Sequence, residues 1–195
     1  KDKPRNHDVA RGLAALFGAY PVELGALEAI IAARAFDSDA GYFADFAALE
    51  AYLDATSGAL MRIAAGILGG DPGRVGQAGI AYGLTGILRS LAFHNRRHKL
   101  YLPQDLLAAA QVTPEEFFHL EPADARRTQI VRQAALRARA HFLAARQAPR
   151  PGAALAAILP AALVPVYLRN LGKPRDVPIH RRQLALLAAA MKGRL

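Results

Sequence analysis

One stretch of the sequence, residues 89–101, holds many of the side chains that could bind an anion or transfer a proton. It contains Arg89, the basic run Arg96-Arg97-His98-Lys99, and Tyr101. Guanidinium and ammonium groups bind phosphate oxygens by charge-assisted hydrogen bonds. His94 lies four residues before His98, a spacing that could place two metal ligands on one helix face. No third ligand is evident nearby and the adjacent cations would repel a metal, so a solvated histidine pair is the favoured interpretation.

Other common site types are excluded or unsupported. The chain has no Cys, which excludes disulfides, thiolate metal sites and cysteine nucleophiles. Gly-x-Ser-x-Gly, His-Glu-x-x-His, P-loop and Gly-x-Gly-x-x-Gly motifs are all absent. No two carboxylates share an apolar helix face. Asp37 and Asp39 lie two residues apart in a predicted loop, where capping of a helix is the default role.

The composition predicts a compact, basic, all-α protein of one domain spanning residues 1–195. Of the 195 residues, 53% are hydrophobic, and Ala supplies much of that content, which favours helix over strand. The net charge of +9 suggests nucleic acid, an anionic membrane or a phosphorylated small molecule as a partner. The scattered arginines are more typical of solvated helix faces than of a nucleic-acid footprint, so we expect no nucleic-acid partner.

Apolar spacing and capping signals predict the individual helices. They predict helices over 9–20, from Pro21 through Ile31, 46–68, 75–94, 104–110, from Thr113, 122–148 and 181–192. Residues 151–168 contain Pro160 and Pro165, and a Pro-kinked buried helix is favoured there over a membrane-touching one. The charged N-terminus, residues 1–5, lacks the apolar region of a signal peptide.

Four glycines along the predicted helix 75–94 require an explanation, because each costs roughly 1 kcal/mol relative to Ala inside a helix. They are Gly76, Gly79, Gly83 and Gly86. Small residues at this spacing allow either another backbone or a ligand to approach closely. The sequence favours close helix packing and a ligand-facing groove equally.

The segment from Gly86 to Pro103 resembles the squalene/phytoene synthase family. The most distinctive stretch of that family is N-I-L-R-D-x-x-x-D-x-x-x-G-R-x-Y-L-P. This chain matches it at Ile87, Leu88 and Arg89 and again at Tyr101, Leu102 and Pro103, with Lys99 in place of the Arg. The resemblance extends from about residue 7 onward and includes Tyr52 and Gly58 in an earlier helix. It implies an isoprenoid (terpenoid) synthase-type helical bundle around a central cavity, with the family's N-terminal helices outside this chain.

The departures from the family pattern bear on activity. Active members hold Mg²⁺ between two Asp-rich motifs, and here Ser90 and His94 stand at the two Asp positions of the second motif, with Gly86 in place of Asn. The first motif is expected upstream of His7. Ser is a weak neutral ligand and imidazole suits transition metals, so both positions are degenerate for Mg²⁺. We therefore expect no metal site, no catalytic residue and no cofactor.

The resemblance implies a non-catalytic function, with a catalytic function as the alternative. The motif of this chain, without its two Asp residues, resembles the motif of the family's non-synthase branch. That branch includes the mitochondrial complex I assembly factor. This predicts a non-catalytic accessory or respiratory-complex assembly factor, with a respiratory subunit or an isoprenoid or lipid ligand as partner. We expect it in the cytoplasm, peripheral at the inner membrane, or in the mitochondrial matrix of a eukaryote. The alternative is a prenyl-diphosphate transferase of the head-to-head type, needing Mg²⁺. Candidate diphosphate-binding residues are Arg89, Arg96, Arg97, Lys99, Tyr101 and Tyr52.

Overall fold

The structure, a computed structural model, describes residues 6–38, 41–173 and 176–195, and this part of the chain contains helices and no strand. The N-terminal residues 1–5 and Asp39, about which the sequence makes predictions, lie outside the described residues. The α-helices are α1 Asp8–Ala19, α2 Leu24–Arg34, α3 Phe46–Leu53, α4 Ala59–Ile67, α5 Gly76–Arg89, α6 Leu91–Arg96, α7 Gln104–Ala109, α8 Pro114–His119, α9 Ala125–Gln147, α10 Leu155–Ile158, α11 Val164–Leu168 and α12 Ile179–Lys192. The all-α prediction is confirmed.

Helix α5 lies at the centre and packs along α9 and against the segment that joins α3 to α4. Its buried residues include Ile80, Leu84 and Leu88, which belong to apolar clusters shared with the surrounding helices. Phe117 from α8 and Ile130 from α9 are also fully buried. Burial of these side chains supplies the main driving force for helix association. The motif segment 86–103 begins on this central helix, so the core positions it.

Several predicted boundaries are confirmed and others are corrected. Thr113 caps α8 in a complete capping box with Glu116, as the local signals predict. Helix α2 begins at Leu24 and not at Pro21. The predicted helix 75–94 is interrupted at Ser90, whose φ of −90° and ψ of 8° lie outside helical values. The predicted helix 46–68 is continuous in space but contains a π-helical turn at Asp54–Gly58.

The segment 151–168 is partly buried and is not one kinked helix. Its buried residues are Ala154, Ile158, Ala161, Leu163, Val164 and Tyr167. It is divided into 3₁₀ turns at Gly152–Ala154 and Leu159–Leu163, alternating with the short helices α10 and α11. Pro160 and Pro165 explain the division, because proline cannot donate a backbone hydrogen bond and restricts the residue before it. Among the described residues, no helix is long and apolar enough to cross a bilayer.

A polar cluster on the outside of α3 joins it to α5 and α9. Arg137 donates to both carboxylate oxygens of Glu50. His141 Nε2 lies 2.9 Å from Glu50 Oε1, and its Nδ1 lies 2.6 Å from the side-chain oxygen of Gln77. Partial burial acts to raise the pKa of Glu50, but the hydrogen bonds from Arg137 and His141 outweigh it and hold that pKa below its ordinary value of 4.5. The carboxylate is therefore more stable in the folded chain than in the unfolded one.

The variant Glu50→Gln is expected to lower the free energy of unfolding at neutral pH by about 1 kcal/mol, because it weakens two charge-assisted contacts. The contribution of Glu50 is present above its ordinary pKa and is lost as the pH falls through its lowered pKa. Urea unfolding at pH 7 and pH 3 measures the difference between variant and parent. Glu28→Gln on exposed α2 is the control, and an equal effect of both variants at pH 7 would contradict the cluster's role.

Candidate functional site

A cavity of about 280 Å³ lies between the π-helical turn and the C-terminal half of α5. Tyr52 and Tyr101 line it on one side, and Ser90 and His94 line it at the break between α5 and α6. The structure thus brings four of the residues selected from the sequence into one site. The volume of this cavity is at the small end of the range found for pockets that bind small molecules.

Asp37 is the centre of the hydrogen-bond network beside this cavity. Its Oδ1 accepts from the Tyr52 hydroxyl at 2.6 Å and from the Tyr101 hydroxyl at 3.0 Å. Its Oδ2 accepts from Arg34 at 3.1 Å, and Arg34 also donates to the Tyr52 oxygen at 3.1 Å. The predicted capping role of Asp37 is therefore wrong, because two tyrosines and an arginine take up its carboxylate oxygens.

The network fixes the protonation states of its members. Burial and the hydrogen bond to Asp37 raise the pKa of Tyr52 above its ordinary range, and they raise the pKa of Tyr101 to about 12. Partial burial would raise the pKa of Asp37, but the hydrogen bonds from Tyr52, Arg34 and Tyr101 lower it. At neutral pH the cavity wall therefore presents two neutral phenols. The carboxylate of Asp37 beside the cavity is ionised and already accepts hydrogen bonds from both phenols.

Aromatic rings and Lys99 hold the segment that carries Asp37. The rings of Phe36 and Phe43 stack with centroids 4.0 Å apart, and Tyr52 packs against both. Lys99 donates to the backbone oxygen of Phe36 at 2.8 Å, and its ammonium lies 4.6 Å from the centroid of the Phe36 ring. Lys99, selected from the sequence as a diphosphate ligand, here anchors the turn beside the cavity.

The two motif positions carry a hydroxyl and a neutral imidazole. The His94 ring lies 4.8 Å from the Tyr101 ring, and its buried Nδ1 has no hydrogen-bond partner among the described residues. Burial lowers the pKa of His94, outweighing the attraction of Asp37. In the part of the chain that the structure describes, no three His, Cys, Asp or Glu side chains group as metal ligands. Mg²⁺ prefers an octahedral set of oxygens, and the residues present do not fit it.

The remaining cations selected from the sequence lie elsewhere. Arg89 faces Asp176, with its Nη2 3.3 Å from Oδ1, and its guanidinium carbon lies 3.7 Å from the centroid of the Tyr167 ring. It lines a separate cavity of about 350 Å³. Arg96 and Arg97 are exposed, and Arg97 lies over the ring of Phe93. The structure therefore does not gather Arg89, Arg96 and Arg97 around the cavity of Tyr52.

His94 and His98 do not form a pair on one helix face. Helix α6 ends at Arg96, and His98 adopts a left-handed conformation with φ of 49°. Its ring packs 5.2 Å from the ring of Phe118, away from the cavity. Because α6 ends before His98, the two histidines are neither paired metal ligands nor a solvated pair on one helix face.

Two glycines of α5 allow close packing, and a third lines the cavity. A Cβ on Gly79 would lie 2.5 Å from the Cα of Gly58, and one on Gly83 would lie 2.7 Å from Ser57 Oγ. These two glycines therefore allow close packing. Gly86 lines the cavity and has no neighbour within 4 Å of the position that a Cβ would occupy.

Sequence reasoning missed Arg34 as a member of the site and misassigned Asp37. Asp37 lies 15 residues from Tyr52 and 64 residues from Tyr101. No local spacing could indicate this arrangement, because it depends on where α2, α3 and the segment after α6 meet. The one available signal is the three-residue separation of Arg34 and Asp37, which is typical of a helical ion pair.

Comparison with known proteins agrees with the arrangement of helices and with the motif. A family model described as squalene/phytoene synthase matches residues 1–188. A search of curated protein sequences finds no match. The crystal structure of a dehydrosqualene synthase in complex with ligand superposes with a TM-score of 0.78 at 16% identity, covering 97% of this chain and 72% of that chain. That likeness shows the fold, an isoprenoid synthase-type helical bundle. The chain belongs to the squalene/phytoene synthase family.

Proposed function

We propose that this family member does not ionise prenyl diphosphates with Mg²⁺ and acts instead as a non-catalytic accessory protein. One observation carries the proposal: Ser90 and His94 line the cavity where the family's motif has two carboxylates. A hydroxyl and a neutral imidazole neither compensate the charge of Mg²⁺ nor supply its preferred oxygens. Without the metal, the developing charge on a departing diphosphate lacks its Lewis acid.

The network around Asp37 supports the same proposal. The carboxylate of Asp37 lies beside the cavity, and its oxygens already accept from the cavity residues Tyr52, Tyr101 and Arg34. Recruiting it to a metal would leave the buried Tyr52 hydroxyl without its acceptor. The cost of an unsatisfied buried polar group opposes that rearrangement.

The alternative function is a prenyl-diphosphate transferase in which cations replace the metal. Arg89 favours it, because it keeps the family's motif position and lies beside a polar cavity with Lys173. Arg and Lys can bind a diphosphate, but binding alone does not break the C–O bond. To bind a diphosphate, Arg89 would also have to break its ion pair with Asp176.

The test is an assay of pyrophosphate release from farnesyl or geranylgeranyl diphosphate with Mg²⁺, using the full-length protein. We expect no release above the protein-free rate, and the same result for Arg89→Ala. Turnover in the parent that is lost in Arg89→Ala would overturn the proposal in favour of the transferase. An intact Asp-x-x-x-Asp motif in the gene upstream of this chain would point the same way.

Within this proposal, we infer that the client is a respiratory complex and that the protein resides at the inner membrane or, in a eukaryote, in the matrix. The support is the resemblance of the acid-free motif to the non-synthase branch of the family. A deletion strain is expected to contain less assembled complex I, measured by native electrophoresis, and reintroducing the gene is the control. Unchanged complex I content would contradict the assembly role. It would not bear on the non-catalytic proposal, which the pyrophosphate assay tests separately.

A further inference from the structure

The positive charge of the chain is concentrated in its last third. Residues 125–195 contain 14 Lys and Arg residues and a single carboxylate side chain, Asp176, for a net charge of +13. The first 124 residues contain 11 Lys and Arg against 15 Asp and Glu, for a net charge of −4. Such asymmetry is typical of proteins that bind an anionic surface through one end.

Four of these cations border a groove between α9 and α11, which we call the arginine groove. Arg132, Arg139 and Arg146 follow one another at seven-residue intervals along α9, and Arg169 borders the groove from the end of α11. Seven residues are nearly two helical turns, so the three side chains of α9 lie in a row. All four are exposed, and none forms an ion pair with an Asp or Glu side chain that the structure describes.

Apolar side chains lie among these cations. Leu136 and Leu143, both exposed, line the arginine groove of about 390 Å³ together with Val164 and Leu168. The leucines are also seven residues apart, in a row beside the arginines. An exposed apolar row beside the arginines is typical of a binding surface, because a surface that serves only solubility is polar.

Helix α12 extends this surface. A second groove of about 600 Å³ shares Arg169 with the arginine groove and is lined by Arg181 and Leu184. Leu184, Leu187 and Met191 are 62%, 56% and 81% exposed, whereas Ala189 is buried. The i, i+3, i+7 spacing places the three exposed side chains on one face, turned away from the core. The apolar face of α12 is thus flanked by cations and lacks cover from the described residues.

We propose that this basic face, the arginine groove together with the outer face of α12, docks on a bilayer that contains anionic phospholipids. Arginines attract the negative surface, and the exposed Leu and Met side chains enter the boundary between headgroups and acyl chains. Nucleic acid would engage the arginines but not the apolar row. The basic face is separate from the Tyr52 cavity, so its role does not depend on whether the protein is catalytic.

The first experiment is sedimentation of the full-length protein with vesicles of phosphatidylcholine, with or without about 30% phosphatidylglycerol. We expect binding to the anionic vesicles that weakens as salt is added. Arg132→Gln/Arg139→Gln is expected to weaken binding roughly 30-fold. The control Arg11→Gln/Arg74→Gln removes the same charge from exposed positions outside the basic face and is expected to bind like the parent.

The second experiment tests insertion of α12 and uses the absence of Trp from the chain. Met191→Trp is expected to show a blue shift in emission with anionic vesicles and quenching by brominated lipids, because the indole enters an apolar layer. Leu24→Trp, at an exposed position on α2, is the control and is expected to show neither.

Several outcomes would overturn the proposal. One is the absence of binding to anionic vesicles at low salt. A second is equal weakening by the two arginine variants. A third is unchanged Met191→Trp emission despite binding. Binding to poly-glutamate but not to vesicles, lost in Arg132→Gln/Arg139→Gln, would assign the face to an acidic protein partner instead.

Discussion

Replacing Gly79 by Ala is expected to lower the free energy of unfolding by at least about 2 kcal/mol. The new Cβ would lie 2.5 Å from the Cα and 2.7 Å from the nitrogen of Gly58, and 2.9 Å from the backbone oxygen of Ser57. Backbone atoms cannot rotate away as the end of a side chain can, so α5 must separate from the π-helical turn. This strain exceeds the gain of up to about 1 kcal/mol that Ala brings to a helix interior.

Gly86→Ala is the matched control, because it makes the same change on the same helix. Gly86 has no neighbour within 4 Å of the position that a Cβ would occupy. This variant is expected to stabilise the protein by roughly 0.5–1 kcal/mol, through helix propensity and a less flexible unfolded chain. Urea unfolding followed by circular dichroism measures both. Equal signs for the two variants would show that close approach does not explain Gly79.

Substituting Asp37 by Ala is expected to cost about 3 kcal/mol of stability at neutral pH. The change removes the acceptor of the hydroxyls of Tyr52 and Tyr101 and the carboxylate partner of Arg34. Tyr52 is 8% exposed and lines the cavity, so only water inside the cavity could replace the acceptor that its hydroxyl loses. Asp8→Ala, which removes an exposed carboxylate paired with Arg11, is the control and is expected to cost less than about 1 kcal/mol. Urea unfolding of both variants measures the difference, and equal costs would contradict the central place of Asp37.

The same network predicts two pH effects. In the Asp37→Asn variant the pKa of Tyr101 is expected to fall below its value of about 12, because the charge of Asp37 is lost. Burial, the largest cause of the raised pKa, remains and keeps it above its ordinary value. Tyrosinate absorbance measures the change. In the parent, the contribution of Asp37 is present above its ordinary pKa of 3.8 and is lost as the pH falls through its lowered pKa. An unchanged tyrosine titration in Asp37→Asn would contradict the described network.

Local signals accounted for the features that depend on neighbouring residues. Thr113, Pro114 and Glu116 predict the start of α8, because a capping box satisfies backbone donors within one turn. The two prolines in 151–168 indicate a disturbed helix there. The motif from Gly86 to Pro103 indicates the family, and the loss of its two carboxylates at Ser90 and His94 is visible without coordinates.

The location of the positive charge and the exposure of α12 are two features that local sequence patterns do not indicate. The segment 86–103 has four Lys and Arg residues and no Asp or Glu, so it contributes +4 to the net charge. The larger source is the stretch 125–195. Helix periodicity places apolar residues of α12 on one face, but it does not say whether that face is buried. In the structure Leu184, Leu187 and Met191 point outward, whereas Ala185 and Leu186 pack against the cluster of Leu163, Tyr167 and Val177, and Ala189 is buried.

The sequence by itself determined the helical class, the family and the absence of two metal ligands, because propensity, capping and motif residues act within a few positions of one another. Only the tertiary structure decided that Asp37 joins Tyr52 and Tyr101, that Arg89 turns to Asp176, and that Lys99 anchors Phe36. A side chain's partner depends on which distant elements pack beside it. That packing is a property of the whole core, which no local spacing encodes.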